Sequence, residues 1–297
     1  MKKLNEKERR ALIELLDDTD PMIYSIIRDK IISLGENIIP ELENTWSNSF
    51  NHLLQERIED VIHKIQFDAL CFKLDEWKRM ESENLLRGAL LIDRYQYPEL
   101  DEASFQKVIF RLKKDLQAEL LHAESPVEKV KIINHILFDV HRFNNNKSNF
   151  HSPQNNFISQ VIENKRGNPL TLGVLYISLA QSLGIPVYGV NLPEHFVLAY
   201  ANRPFDGQPF MHDYDEGQEV LFYINPFSQG TIFSKREISA YLSQLNISPR
   251  PEFYKPCSPS DILIRILNSL IFSFGQMGYQ YKVDEIYTLK KIITEHE

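Results

Sequence analysis

Apolar residues recur at helical spacing from residue 4 to 122 and again after residue 260, and only between those stretches does the pattern shorten towards alternation. Asp20-Pro21 predicts a helix start with Ile23, Ile26, Ile27, Ile31 and Leu34 on one face; Gly35 ends it before Ile38, Ile39, Leu42 and Trp46 begin the next. Leu54, Ile58, Val61, Ile62 and Ile65 predict a further helix, with Leu70, Leu74 and Trp77 on its pair. Ser125-Pro126-Val127-Glu128 has the spacing of a capping box and opens a helix with Val130, Ile133, Ile136, Leu137 and Val140 inward. The Asn- and Ser-rich run FNNNKSNFHSPQNN, Phe143 to Asn156, predicts a long surface loop, followed by a short helix from Phe157 to Glu163. From Ser260 onward the pattern predicts two helices split at Gly278, with Ile262, Ile266, Leu270 and Phe274 against Val283, Ile286 and Ile293.

The stretch from 164 to 200 is the densest in signals. Asn168-Pro169 has the form of an N-cap followed by proline at the first helical position, where the missing N–H costs nothing. Leu172, Leu175, Tyr176, Leu179, Ala180 and Leu183 continue one apolar face, and Gly184 and Pro186 stop it. Val187 to Asn191 predicts a strand, Leu192-Pro193-Glu194 a turn, and His195 to Tyr200 a second strand with His195, Val197 and Ala199 on one face. Beyond a polar loop, Asp215-Glu216-Gly217 predicts a hairpin turn into EVLFYIN, where Leu221, Tyr223 and Asn225 share a face.

Composition adds boundaries to this picture. A chain of 297 residues with 43% hydrophobic and 25% charged residues is ordinary and globular, and a formal charge of −8 argues against bulk nucleic acid or an anionic membrane as partner. MKKLNEKERR runs into charge without an apolar leader, and the most apolar late stretch, Ile262 to Phe274, is interrupted by Arg265, Asn268 and Ser269. The expectation is a cytoplasmic protein. Cys71 and Cys257 stand far apart with no His or Cys at ligand spacing, so neither a disulfide framework nor a metal site is expected, and nothing calls for a cofactor.

The run helix, LGIP, strand, turn and His-aromatic strand resembles the core of the transglutaminase-like (papain-like) superfamily, whose reactive cysteine sits at the helix N-terminus. In that family the cysteine lies two residues after a glycine and about fifteen before the glycine of LGIP; counted from Gly167 and from Gly184, both land on Pro169. His195 and Asn225, the latter followed by Pro226 at a strand end, take the second and third triad positions that the resemblance implies. The stretch LLDDTDPMIYSIIRDKIISLGENIIPELENTW resembles a HEAT repeat, and the last helical pair resembles a tetratricopeptide-like hairpin. As a set, RGNPLTL, PEHF and INPF with those flanks are similar to the SirB-type transglutaminase-like family of bacteria. The resemblance implies an α+β protein: a HEAT-like helical domain over 1–122, a transglutaminase-like core with antiparallel sheet over 123–255, and a tetratricopeptide-like hairpin over 256–297.

A papain-like site needs a thiolate at a helix start, a histidine within reach and a third group on the far imidazole nitrogen. Asn225 in place of Asp can orient an imidazole, whereas proline has no nucleophile. Thr171, two positions into the helix, reads as a near-cap hydroxyl bonding backbone, while Lys165 and Arg166 beside free helix N–H groups suit a carboxylate or phosphate. The favoured expectation is therefore a catalytically inactive protein binding a ligand or protein segment through Arg166, Asn168, Thr171, His195 and Asn225. The alternatives are a hydrolase or acyl transferase with a non-cysteine nucleophile, and an adaptor working through its helical regions with a protein or peptide partner.

Overall fold

The computed structural model describes residues 5–150, 152–202 and 220–295. The chain divides into two compact units, Met1–Asp75 and Glu76–Glu297. In the first, helices α1 (Glu6–Glu14), α2 (Pro21–Ile32) and α3 (Ile39–Asn48) precede α4 (His52–Met80), within which the division falls. Asp20 caps α2 by accepting the Met22 N–H, and Gly35, at φ +68°, permits the turn that follows. Ile13, Leu16, Ile31, Ile38, Leu42, Leu54, Ile58, Val61 and Ile65 form the core of this unit. Two expectations are corrected here. Ile23 and Ile26 face outward, because α2 turns Ile31 inward with Tyr24 and Ile27 behind it. The helix expected at Leu54–Ile65 and the one expected at Leu70–Trp77 are a single helix of 29 residues, which contains neither glycine nor proline to divide it.

In the second unit, α5 (Leu85–Gln96), α6 (Glu102–Leu120) and α7 (Pro126–Asn134) come first. Ser125 and Glu128 form the reciprocal capping box at the start of α7. A π-helical turn, His135–Val140, then widens the helix and rotates the register, which leaves Val140 exposed where an unbroken α-helix would have buried it. Strand β1 (Asn144–Asn145), helix α8 (Ile158–Asn164) and strand β2 (Arg166–Gly167) lead into α9 (Pro169–Ser182), β1 and β2 pairing in parallel. A four-stranded antiparallel sheet follows in the order β3 (Val187–Leu192), β4 (His195–Ala201), β5 (Val220–Asn225) and β6 (Thr231–Phe233). The expected turn at Asp215-Glu216-Gly217 lies outside the described residues. Helix α10 (Lys235–Gln244) covers one face of the sheet, and α11 (Pro259–Gln276) and α12 (Gln280–Thr294) form the last pair around Gly278, at φ +79°.

The protein is thus α+β, but the helices between 85 and 120 and those after 258 lie in the same compact unit as the sheet. Boundaries at 122/123 and 255/256 therefore do not separate compact units: α5 comes so close to α11 that a Cβ on Gly88 would stand 2.4 Å from Leu263. Among the described residues no helix is long and apolar enough to cross a membrane.

Candidate functional site

The start of α9 is held by a buried network of amides. Asn168 Oδ1 accepts the Thr171 N–H at 3.0 Å, while its Nδ2 donates to Asn156 Oδ1 at 2.8 Å. The Thr171 hydroxyl donates to the Asn155 carbonyl at 2.7 Å, and Asn146 Nδ2 donates to Asn155 Oδ1 at 2.9 Å. Asn155, Asn156, Asn168 and Thr171 are all buried. Backbone bonds from Asn144 to Lys165 and from Asn146 to Gly167 close the Asn-rich segment against the chain just before the helix. The surface loop expected at 143–156 is corrected at its two ends: Lys147 to Phe150 are exposed, whereas Phe143, Asn155 and Asn156 are buried, and the asparagines supply partners that buried polar groups require.

Upstream of this network sits a carboxylate that the sequence pattern did not single out. Asp93 of α5 is wholly buried and accepts the N–H groups of Ile158 and Ser159, at 2.9 and 2.6 Å, from the first turn of α8. Burial pushes its carboxyl from 3.8 up to about 7, against the opposing pull of the Ser159 and Ile158 donors.

The sheet places the two remaining triad positions. Leu198 pairs with Ile224, so by alternation Val197 and Asn225 stand opposite each other and His195 shares their face. Val197, Ala199 and Tyr223 of that face pack with Ile238 and Leu242 of α10. The exposed His195 ring lies beside Tyr241 of α10, with centroids 5.0 Å apart. Helix α9 packs on the other face: a Cβ on Gly173 would stand 2.6 Å from the Phe196 ring and 3.3 Å from Leu198.

The structure therefore brings Asn168 and Thr171 together, with half-buried Pro169 between them, and leaves Arg166 exposed on β2. It does not join His195 to Asn225. The Asn225 carboxamide oxygen accepts from Phe227 and Ser228, at 3.0 and 3.2 Å, and so caps its own turn. Among the described residues neither ring nitrogen of His195 is hydrogen-bonded, and no cluster of three or more His, Cys, Asp or Glu side chains could hold a metal. Cys257 is half-buried, and the packing around its thiol pushes it up to about 12, with Asp261 adding to the effect.

A buried, amide-held helix docked on one face of an antiparallel sheet, with a histidine opening the second strand and an Asn-Pro closing the third, defines an α+β core of transglutaminase-like type. The chain belongs to the transglutaminase-like superfamily, whose family model matches residues 103–268. It is 33% identical over 196 residues to a UPF0162 protein of Xylella fastidiosa strain Temecula1 and 28% identical over 195 residues to one of strain 9a5c. Each alignment covers 64% of this chain and 64% of the relative. F-box only protein 21 of Mus musculus is 23% identical over 229 residues, 70% of this chain and 34% of that protein. No solved structure matches the chain significantly.

Proposed function

We infer that this chain acts by binding, without turnover, and that it is a SirB-type member of its superfamily. The observation that carries this reading is the fate of the three positions a cysteine-type site would use. Pro169 offers no nucleophile, the Asn225 oxygen is occupied by its own turn, and the His195 imidazole faces α10 while the helix start belongs to the opposite face. Thr171 cannot stand in for cysteine, because the residue is 1% exposed and its hydroxyl is bonded to Asn155 and Asn168. On this reading the partner is a ligand or protein segment, read chiefly by exposed His195. The α2–α3 pair serves as a HEAT-like surface, the α11–α12 pair as a tetratricopeptide-like brace, and the setting is the bacterial cytoplasm.

The test is to install the missing thiol. Pro169→Cys places a cysteine at a helix start, where the free N–H groups lower its pKa whether or not an imidazole is near. Its rate with iodoacetamide at pH 6 and pH 8 is expected to be the same, within twofold, with and without His195→Ala. A rate that falls tenfold or more on removing His195 would reveal a latent dyad and end the binding-only reading.

A further inference from the structure

Helix α6 carries a basic face on a chain of formal charge −8. Lys107, Phe110, Arg111 and Lys114 follow one another at helical spacing and are all exposed, Phe110 at 69%, and no acid interrupts the run from 107 to 114. The acids of α6 are engaged elsewhere. Glu102 takes Arg87 and Arg94, and Asp115 takes the His141 ring at 2.8 Å, which leaves Glu119 near the last turn. Among the described residues Lys107, Arg111 and Lys114 form no ion pair, although the charge of Lys107 reaches Asp101 at the N-cap.

A further cation stands beside this face. Lys165 ends α8 at φ +58°, and its Nζ lies 4.2 Å from the centroid of the buried Phe143 ring. His141, two positions before Phe143, bonds to Asp115, and Arg111 lies one turn before Asp115 on α6, so the helix passes Lys165 at Arg111. Burial lowers the pKa of Lys165 and the charge of Arg111 lowers it further, as two neighbouring cations require. Among the described residues no ion pair relieves Lys165. A half-buried ammonium next to a guanidinium is an arrangement that an anion stabilises.

The partner must also account for Phe110. A free phosphate or a lone carboxylate would cover no apolar surface there, and a nucleic acid longer than the face would run onto a protein of negative net charge. A segment with a large apolar side chain between carboxylates meets both features, apolar contact at the centre and opposite charge around it.

We propose that Lys107, Phe110, Arg111 and Lys114 of α6, with Lys165 at their side, dock an acidic protein segment bearing a large apolar residue. This surface does not rest on the reading of His195 above.

The experiment titrates the full chain into the fluorescein-labelled peptide DDELDDE at constant ionic strength and follows fluorescence anisotropy. Saturable binding that weakens with added salt is expected, with little or none for the neutral counterpart NNQLNNQ. Arg111→Glu should weaken the apparent Kd about tenfold, and Phe110→Ala and Lys165→Gln severalfold, with circular dichroism unchanged. Arg236→Glu, the same charge change on exposed α10, and His195→Ala should each stay within about twofold of the parent. DDESDDE, which lacks the apolar side chain, should bind severalfold more weakly than DDELDDE. Absence of saturation, NNQLNNQ or DDESDDE binding as tightly as DDELDDE, or folded Arg111 and Phe110 variants within twofold of the parent would each overturn the proposal. So would an Arg236→Glu loss equal to that of Arg111→Glu, or an oligothymidylate or phosphatidylserine vesicle that competes more strongly than the peptide. A tenfold loss on His195→Ala would move the binding to that residue and overturn this surface while supporting the reading above.

Discussion

Replacing Asp93 with Asn should change how stability depends on pH. The carboxyl is wholly buried and accepts two main-chain N–H groups at the start of α8, with no cation paired to it among the described residues. Burial raises its folded pKa from 3.8 to about 7, so between those values the folded protein holds a proton that the unfolded chain releases. Stability from the neutral carboxyl is therefore complete below pH 3.8 and is lost as pH rises through about 7. At about 1.4 kcal/mol for each tenfold change in proton affinity, the rise from 3.8 to about 7 amounts to about 4 kcal/mol across the window. An asparagine keeps one acceptor but sets its NH2 against the second donor, which costs about 1 to 2 kcal/mol at pH 5. Above pH 7 the parent bears the charge and Asp93→Asn does not, so the two curves should converge or cross. Urea denaturation followed by circular dichroism at pH 5, 6, 7 and 8 measures the difference directly. A difference in unfolding free energy that stays flat across those four values would refute the reasoning, since the carboxylate would then be ionised throughout and held by its N–H partners.

Thr171→Val removes the hydroxyl that donates to Asn155 and Asn168, and is expected to cost about 1 to 3 kcal/mol in the same denaturation assay. Gly230→Ala meets two obstacles: φ is +72°, and the new Cβ would lie 1.9 Å from Asn134 Oδ1, whose side chain also accepts from Tyr176 and donates to the Gly230 carbonyl. A loss of about 2 to 4 kcal/mol, read as a lowered Tm, is expected; a change below 0.5 kcal/mol, roughly the usual surface effect, would mean the turn relaxes freely.

Local punctuation carried most of what the sequence made legible. Asn168-Pro169 marks the first turn of α9, Gly184 takes the positive φ of +71° that ends it, and Pro193-Glu194 turns β3 into β4, with Leu192 still in the first strand and His195 opening the second. Each is a short-range preference that tertiary structure had no reason to override. What escaped the reading depends on partners far away in sequence. The asparagines of 144–156 resemble loop residues until the start of α9 is present for them to bond. Asp93 is unremarkable on α5 until α8, some 65 positions later, points its N–H groups at it. In sequence Arg265 is only an interruption of an apolar run, because its bond is to the His195 carbonyl, 70 positions away. The strand pattern puts Asn225 on the face that the register shows, but a local turn claims its oxygen, a competition that the pattern alone does not display.

The ends of the sheet bear on how any segment could be recognised. Strand β3 is an edge, yet two of its outward carbonyls are already taken: Gly189 accepts from the Cys257 N–H at 2.8 Å and Val187 from Gln181 Nε2 at 2.9 Å. The opposite edge, β6, is three residues long. Neither offers the row of free backbone groups on which an incoming strand could template itself. If the core binds a segment as proposed, that segment would have to be held by side chains and surface shape, because a sheet with both ends closed in this way cannot be lengthened by one more strand.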